Sequence, residues 1–190
     1  GSEQIQGRAS LGGNLCNGSP AGDSVPALIA AGCKAVIAGP KGRKDVPIEN
    51  FHLGPGKTVL ENGEMLVSLK FPKRVSNSAD AYLRMTPRTE MDIAVVGCGV
   101  NISLENDTCT HARVSLGAVA PTPLLIEEAS DIMIGSKLDD DTLDRVSKIC
   151  MDACNPINDK RGTVDYRTKV AGVLFKRATK LAAERIGGNK

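Results

Sequence analysis

Apolar positions in the first part of the chain change from helical to strand spacing. Val25, Leu28 and Ile29 repeat at helical intervals. Asp23 or Ser24 precedes them as a capping residue. Further along, continuous apolar runs bounded by glycine and proline are typical of strands. The pattern predicts a helix over residues 23–32, strands over 33–38, 46–48 and 65–72, a reversing turn over 39–43 and a loop rich in turn formers over 50–58.

Beyond residue 80 the chain has long apolar runs and then returns to helical spacing. Two of the runs are separated by a polar turn at 105–107, which predicts an antiparallel hairpin. Gly97 and Gly99 weaken the first run and indicate either a bulge or the close packing of another backbone. The pattern predicts strands over residues 81–85, 92–104 and 112–120, and helices over 122–135, from 139–141 onward, and over 165–186.

A change of composition over residues 72–80 marks a boundary between two domains. This segment is charged and small and has no apolar periodicity. We therefore predict one domain over residues 3–75 and a second over 76–190. Gly1 and Ser2 are typical of a cloning scar. A chain of 190 residues is long enough for two small domains.

Charge and aromatic content exclude several classes of partner. The formal net charge is only +2, and the charges are spread along the chain, which favours neither nucleic acid nor an anionic membrane. Aromatic residues make up 3% of the chain and Trp is absent, which argues against base-stacking platforms. The basic residues of the last predicted helix are typical of a solvated face, with a subunit contact as the alternative: Lys169, Lys176, Arg177 and Lys180.

Six cysteines are distributed without a CxxC pair, and the chain has only two histidines. This spacing predicts no zinc or iron–sulfur site in the chain. Cys150 and Cys154 fall four residues apart in a helical pattern, where buried thiols are the expected interpretation. With no signal peptide and no apolar run long enough to cross a bilayer, the sequence predicts a cytoplasmic protein without a membrane span.

Residues 9–23 concentrate small residues, hydroxyls and one carboxylate. Adjacent glycines open backbone conformations that are closed to other residues, and they allow a phosphate to approach main-chain N–H groups. Ser10, Asn14 and Ser19 add possible donors. The stretch therefore predicts a nucleotide cradle, with an ordinary Gly/Ser/Pro surface loop as the alternative.

The order of these residues resembles that of a known family. Ala-Ser-Leu-Gly-Gly-Asn at 9–14 and Ser-Pro-Ala-Gly-Asp at 19–23 are similar to a flavin-contacting loop in the FAD-binding subunit of molybdenum hydroxylases, such as xanthine dehydrogenase and carbon monoxide dehydrogenase (medium chain). The resemblance continues through Glu-Met-Leu-Val at 64–67, Arg-Thr-Glu-Met-Asp-Ile-Ala at 88–94 and Asp-Lys-Arg-Gly-Thr-Val-Asp-Tyr-Arg at 159–167. It covers nearly the whole chain beyond the scar.

The resemblance implies a fold in two parts, both of the α+β class. The first part corresponds to the C-terminal half of a PCMH-type FAD-binding domain. The second corresponds to the C-terminal domain of carbon monoxide dehydrogenase flavoprotein, a three-stranded antiparallel sheet with three helices. In the family an N-terminal lobe with the first Gly-rich loop precedes this point. The sequence begins beyond that lobe, so the expectation is a fragment or a lobe supplied as a separate chain.

The resemblance also implies the residues that contact FAD. Ser10, Leu11, Gly12, Gly13 and Asn14 are assigned to the diphosphate and ribityl chain. The other assignments are a polar contact with the flavin nucleotide for Asp23, packing on the ring for Leu66, and the polar edge of the ring for Arg84. Relatives usually have lysine in place of Arg84, and the planar guanidinium differs in reach and geometry. Plain core packing is the alternative for Leu66.

By the same resemblance, the chain is an electron-transfer subunit of an oxidoreductase. Electrons pass from a molybdopterin site on a large subunit, through two-iron clusters on a small subunit, to FAD and then to NAD or another acceptor. The sequence contains no acid–base dyad, activated nucleophile or metal site, and electron relay needs none. Two alternatives stay open: a docking or dimerisation module that has lost FAD binding through truncation, and a self-contained flavin enzyme with its own substrate pocket.

Overall fold

The computed structural model describes residues 3–89 and 92–187. The proposed scar at Gly1 and Ser2 lies outside the described residues, as do Glu90 and Met91 of the Arg-Thr-Glu-Met-Asp-Ile-Ala motif.

The first part of the chain contains three short helices and a three-stranded antiparallel sheet. Its core is formed by buried side chains between residues 15 and 51, including Leu15, Val25, Ile37 and Phe51, whereas the first helix buries no side chain. The strand order is β2-β1-β5. The elements are α1 (Glu3–Gln6), α2 (Leu11–Cys16), α3 (Ser24–Ala30), β1 (Lys34–Gly39), β2 (Gly42–Pro47), β3 (His52–Gly54), β4 (Lys57–Thr58) and β5 (Met65–Lys70), with a 3₁₀ turn at Ile48–Asn50.

Most of the predicted elements of this part are confirmed. The helix at α3, the strands at β1 and β5 and the turn between β1 and β2 lie where the apolar pattern places them. Two details are wrong. Strand β2 begins at Gly42, because its exposed polar residues pair along the whole length of β1. The predicted loop over residues 50–58 contains the small β3–β4 hairpin, in which His52 pairs with Thr58.

The second part is an antiparallel sheet with three helices, but the sheet has four strands and not the three that the family resemblance implies. Its strands are β6 (Ser78–Met85), β7 (Val96–Glu105), β8 (Thr108–Gly117) and β9 (Leu124–Leu125), in that spatial order. Its helices are α4 (Glu127–Met133), α5 (Asp140–Asp152) and α6 (Val164–Gly187). Asn106 and Asp107 both have positive φ, which suits the two-residue turn of the β7–β8 hairpin.

Several boundaries in this part differ from the prediction. The strand expected over 81–85 begins at Ser78, and the strand expected over 112–120 spans Thr108–Gly117. The helix expected from residue 122 begins only at Glu127, because Leu124 and Leu125 pair with β8 and add a short fourth strand. The strand expected from Asp92 begins at Val96. The Asp92 carboxylate instead accepts hydrogen bonds from the backbone N–H groups of Arg88 and Ile93.

The two faces of the second sheet differ in side-chain size. One face carries buried apolar side chains, among them Cys98, Val100 and Leu116, which pack with α4, α5 and α6 into the larger core. On the opposite face, helix α3 lies across β7 and β8. A Cβ atom at Gly99 would lie 2.6 Å from the carbonyl oxygen of Pro26. A Cβ atom at Gly117 would lie 2.6 Å from the Cγ atom of Pro26. Close packing of another backbone, one of the two interpretations of Gly97 and Gly99, is thus confirmed at Gly99.

Candidate functional site

The predicted cradle is a short helix and not an irregular loop. Ser10 has extended backbone angles and caps α2, with its Oγ accepting a hydrogen bond from the backbone N–H of Gly13 at 3.0 Å. Gly12 and Gly13 lie inside the helix, and neither has positive φ. The expectation that they adopt conformations closed to other residues is therefore wrong. Gly18, with φ of 67°, does need that freedom, because a Cβ there would lie 3.0 Å from the Gly56 backbone.

The first turn of α2 offers main-chain donors. Among the described residues, the N–H groups of Leu11 and Gly12 have no hydrogen-bond acceptor, as is usual for the first positions of a helix. Leu11 is exposed and Gly12 is half-buried, so these donors are accessible. Because Gly12 and Gly13 have no side chains, a ligand atom can approach the N–H groups of this turn. This geometry suits an anionic oxygen placed against the backbone.

Asn14 fastens this helix to the next one. Its Oδ1 accepts hydrogen bonds from the backbone N–H of Ser24 at 3.1 Å and from the Ser24 hydroxyl at 2.6 Å. Asp23 occupies the N-cap position of α3 but makes no side-chain capping bond, so Asn14 supplies the cap from ten residues upstream. The loop between the two helices is tight, because a Cβ at Gly22 would lie 3.3 Å from Asn14 Oδ1.

Leu66 lies on β5 beside the start of α2. A Cβ atom at Gly12 would be 3.4 Å from Leu66 Cδ2, an ordinary van der Waals distance. The side chain is half-buried and packs against the core of the first part. Leu66 therefore contributes to the core and also borders the exposed first turn of α2.

Asp23 and Arg84 meet across the junction of the two parts. Although they are 61 residues apart in sequence, Arg84 Nη1 donates to Asp23 Oδ2 in an ion pair. The side chains are 35% and 24% exposed, respectively, so both charges are partly withdrawn from water and remain reachable. Tyr82 lies two residues before Arg84 on β6, with a buried phenol oxygen. Burial and the nearby Asp23 carboxylate raise the pKa of Tyr82, which keeps the phenol protonated.

A series of contacts thus connects the proposed site residues. Leu66 touches the start of α2, Asn14 joins α2 to α3, and the ion pair of Asp23 and Arg84 follows at the start of α3. Sequence reasoning missed Ser24 and Tyr82. The alternation along β6 could have placed Tyr82 on the same face as Arg84, but nothing in the sequence indicated that Asp23 would lie opposite them.

A cavity of about 330 Å³ adjoins the loop after α2. Pro20, Pro55 and Ile93 are among its lining residues, and half of Ile93 is exposed. Arg161 and Arg167 also line the cavity. The Asp-Ile-Ala segment and the closing motif named from the family resemblance therefore meet beside the 19–23 loop.

The cysteines have the character expected of buried thiols. Cys98 and Cys150 are buried, and Cys154 is half-buried. Burial raises the pKa of Cys150 to about 12 and that of Cys154 to about 11, which keeps both thiols protonated and unreactive. Within residues 3–89 and 92–187 no cluster of three or more His, Cys, Asp or Glu side chains could hold a metal ion. No helix in that part of the chain is long and apolar enough to cross a membrane.

Two family profiles together match most of the chain. Residues 1–74 match the FAD-binding domain in molybdopterin dehydrogenase. Residues 81–182 match the CO dehydrogenase flavoprotein C-terminal domain.

Similar proteins cover almost all of this chain. The xanthine dehydrogenase FAD-binding subunit of Escherichia coli O157:H7 is 31% identical over 97% of the chain. The carbon monoxide dehydrogenase medium chain of Hydrogenophaga pseudoflava is 32% identical over 94%. The structure of reconstituted CO dehydrogenase from Oligotropha carboxidovorans superimposes with a TM-score of 0.93 at 31% identity over 97% of the chain. The chain spans 64%, 62% and 64% of these three relatives, respectively.

Proposed function

The chain belongs to the FAD-binding medium subunits of the molybdenum hydroxylases, and we propose on that premise that it binds FAD and relays electrons in such an enzyme. The observation that carries the proposal is the series of contacts that links the start of α2 to Leu66 and, through Asn14 and Ser24, to the ion pair of Asp23 with Arg84. Each feature matches one part of the cofactor: the anionic diphosphate, the apolar ring and its polar edge.

The residues present fit that cofactor. The accessible N–H groups of Leu11 and Gly12 would donate to diphosphate oxygens, and the hydroxyl of Ser10 fixes the turn that presents them. Asn14 Oδ1 is engaged by Ser24, which leaves its amide nitrogen to donate toward the ribityl chain. Leu66 offers an apolar contact for the ring, and Arg84 and Asp23 offer one donor group and one acceptor group at its edge.

When bound, FAD supplies the electron and hydride chemistry, and the protein supplies binding, orientation and electrostatics. Arg84 places positive charge near the ring, and Asp23 balances that charge. The fold holds these two groups together because α3, which carries Asp23 at its start, is seated on the sheet that carries Arg84. None of the proposed site residues takes or gives up a proton in this scheme.

The proposed partners follow from the family. We assign the molybdopterin to a large subunit and the two-iron clusters to a small subunit, with FAD on this chain as the last carrier before NAD or another acceptor. The relatives are longer than this chain, and we propose that the remaining part of the FAD site is supplied by an N-terminal lobe. The isolated 190-residue chain is expected to be inactive without these components.

The variant Gly12→Val tests the cradle. A Cβ at Gly12 would make only an ordinary contact with Leu66, so folding should survive, whereas a branched side chain would block the approach to the backbone. We expect FAD affinity to fall by about tenfold or more. The matched control is Gly7→Val, since a Cβ at Gly7 also makes no contact closer than 3.5 Å. Equal FAD affinity in the two variants would remove the cradle from the proposal.

A further inference from the structure

The ion pair between Asp23 and Arg84 makes the edge of the proposed flavin site nearly neutral. One residue belongs to the start of α3 and the other to β6, and their side chains are about one third and one quarter exposed. A cation held by a carboxylate acts on a neighbouring group less strongly than a free cation does. The field at the edge of the ring therefore depends on how firmly Asp23 holds Arg84.

Tyr82 lies where it can affect the pairing of Asp23 with Arg84. It lies on the same face of β6 as Arg84, since successive side chains of a strand alternate and Ala81 and Leu83 pack with the opposite core. A Cβ at Gly97 would lie 2.8 Å from the Tyr82 Oη, so this glycine leaves the space that the phenol fills. The phenol oxygen is buried and has no hydrogen-bond partner among the described residues, and burial and the nearby Asp23 carboxylate raise the pKa of Tyr82.

A buried hydroxyl in this position has a strong reason to interact with a carboxylate. Leaving a buried donor unsatisfied costs free energy, and a hydrogen bond to a charged acceptor is stronger than one to a neutral acceptor. Protonated Tyr82 is a donor, and the oxygens of Asp23 are acceptors. Arg84 pairs with this carboxylate, and Tyr82 lies two residues away on the same face of β6.

We propose that Tyr82 is a positioning residue of the flavin site, whose hydroxyl holds the Asp23 carboxylate and so limits how tightly Asp23 neutralises Arg84. The inference rests on the proposed function, because it concerns the field that Arg84 presents to bound FAD. With the hydroxyl in place, part of the carboxylate charge is directed to Tyr82, and more of the Arg84 charge acts on the cofactor. Without it, Asp23 pairs more completely with Arg84.

The test uses the FAD-loaded protein together with the proposed N-terminal lobe. It compares the wild type with the variants Tyr82→Phe and Asp23→Asn. For each protein, the dissociation constants of oxidised and reduced FAD are measured together with the reduction potential of the bound flavin. We expect Tyr82→Phe to weaken binding of reduced FAD relative to oxidised FAD by about fivefold, the size of one hydrogen bond, and to lower the potential. Asp23→Asn frees the Arg84 cation and should raise the potential.

The chain offers a matched control in its only other tyrosine, Tyr166, which lies on α6 and is 41% exposed. Tyr166→Phe should leave the potential unchanged. A merely structural role for Tyr82 would weaken both redox forms of FAD equally and leave the potential unchanged, and that result would overturn the inference while FAD binding still supports the proposed function.

A measurement without FAD separates the proposed role of Tyr82 from the proposed function. In a double-mutant cycle on urea unfolding of the apoprotein, Tyr82→Phe and Asp23→Ala should show a coupling clearly different from zero, because they remove the donor and the acceptor of the proposed hydrogen bond. Additive effects would overturn the inference. Coupled effects in a wild-type protein that fails to bind FAD would confirm the contact, but they would refute the proposed function and the tuning role together.

Discussion

At the scale of single residues, Asp159 shows how one carboxylate organises the loops around the second sheet. Its Oδ1 accepts hydrogen bonds from the backbone N–H groups of Arg161 and Gly162 and from Nη2 of Arg167 at 2.8 Å. Arg167 is buried and also donates to the carbonyl oxygen of Val95 at 2.7 Å. Asp159 thus joins the closing motif, the start of α6 and the segment before β7.

These bonds predict a pH dependence of stability. Donation from the Arg161 backbone, and from Arg167, lowers the pKa of Asp159 in the folded state. A carboxyl whose folded pKa lies below its unfolded value of about 3.9 contributes stability that is complete above that value and is lost as the pH falls through the folded pKa. At pH 7, Asp159→Asn should lower the free energy of unfolding by roughly 1–2 kcal/mol, and the difference from wild type should shrink as the pH falls from 5 to 3.

Urea unfolding at a series of pH values measures this effect, with the exposed Asp131→Asn as control. A pH-independent difference between wild type and Asp159→Asn would contradict the assignment.

The sequence indicated which residues belong to the proposed site, but it did not indicate which of them contact one another. The motif order singled out Asp23, Leu66 and Arg84; in the structure Leu66 lies beside Gly12 and Asp23 pairs with Arg84, and their roles toward FAD stay predictions. The pairing of Asp23 with Arg84 could not be predicted, because it depends on how α3 is seated on the second sheet. The helical state of Gly12 was missed because Ser10, as a cap, overrides the flexibility of two glycines.

At the scale of elements, helix α3 packs closely on the second sheet because the facing positions of that sheet are glycines, which have no side chain. Gly99 and Gly117 allow Pro26 to approach the strands at distances that any Cβ would violate. Because the carbonyl of Pro26 is backbone and lies inside a helix, it cannot move away as a flexible side chain could.

Gly99→Ala should therefore destabilise the protein by roughly 1–3 kcal/mol, the usual cost of overpacking. It should also disturb the ion pair at the start of α3. The control is Gly54→Ala in β3, where a Cβ would meet nothing within 4 Å. Chemical unfolding of both variants measures the difference, and equal free energies of unfolding would show that α3 is not packed as closely as described.

Elements with strong periodicity were predictable, and elements defined by pairing were not. Helices α5 and α6 and the β7–β8 hairpin follow from apolar spacing and a polar turn. Strand β9 was taken for the start of a helix, because two leucines next to a proline carry no period and only the edge of β8 makes them a strand. The β3–β4 hairpin was missed for the same reason.

At the scale of the whole molecule, Arg113 ties the two parts together. From β8 it donates through Nε to the carbonyl oxygen of Ile29 at 3.1 Å and pairs through Nη2 with Glu49 at 3.0 Å. Both side chains of the pair are largely withdrawn from solvent, so this contact is worth more than a surface ion pair. The backbone bond from Ala118 to Pro20 adds a second link.

Arg113→Gln should loosen this junction. We expect the free energy of unfolding to fall by roughly 1.5–3 kcal/mol and amide hydrogen exchange to accelerate around α3 and the Ile48–Asn50 turn. Arg177→Gln on the exposed face of α6 is the control and should change neither quantity. Unchanged exchange at α3 in Arg113→Gln would mean that the two parts are held together by other contacts.

The assignment of the chain to two domains, at 3–75 and 76–190, stays a prediction, although residues 71–77 contain no helix or strand. The family and the α+β fold could be recognised from the sequence because the motifs extend over nearly all of it. The substrate and the electron acceptor could not, because no motif of this sequence indicates either one.

The most direct test of the account is an FAD titration followed by flavin fluorescence, with the chain alone and with the N-terminal lobe that longer relatives carry. We expect FAD to bind saturably in the presence of the lobe. Gly12→Val should weaken the FAD affinity, and Gly7→Val should leave it unchanged. Binding by the chain alone would show that the surface from Ser10 to Asp23 suffices. No binding in either case would contradict the account and leave a docking or dimerisation module as the better description of the chain.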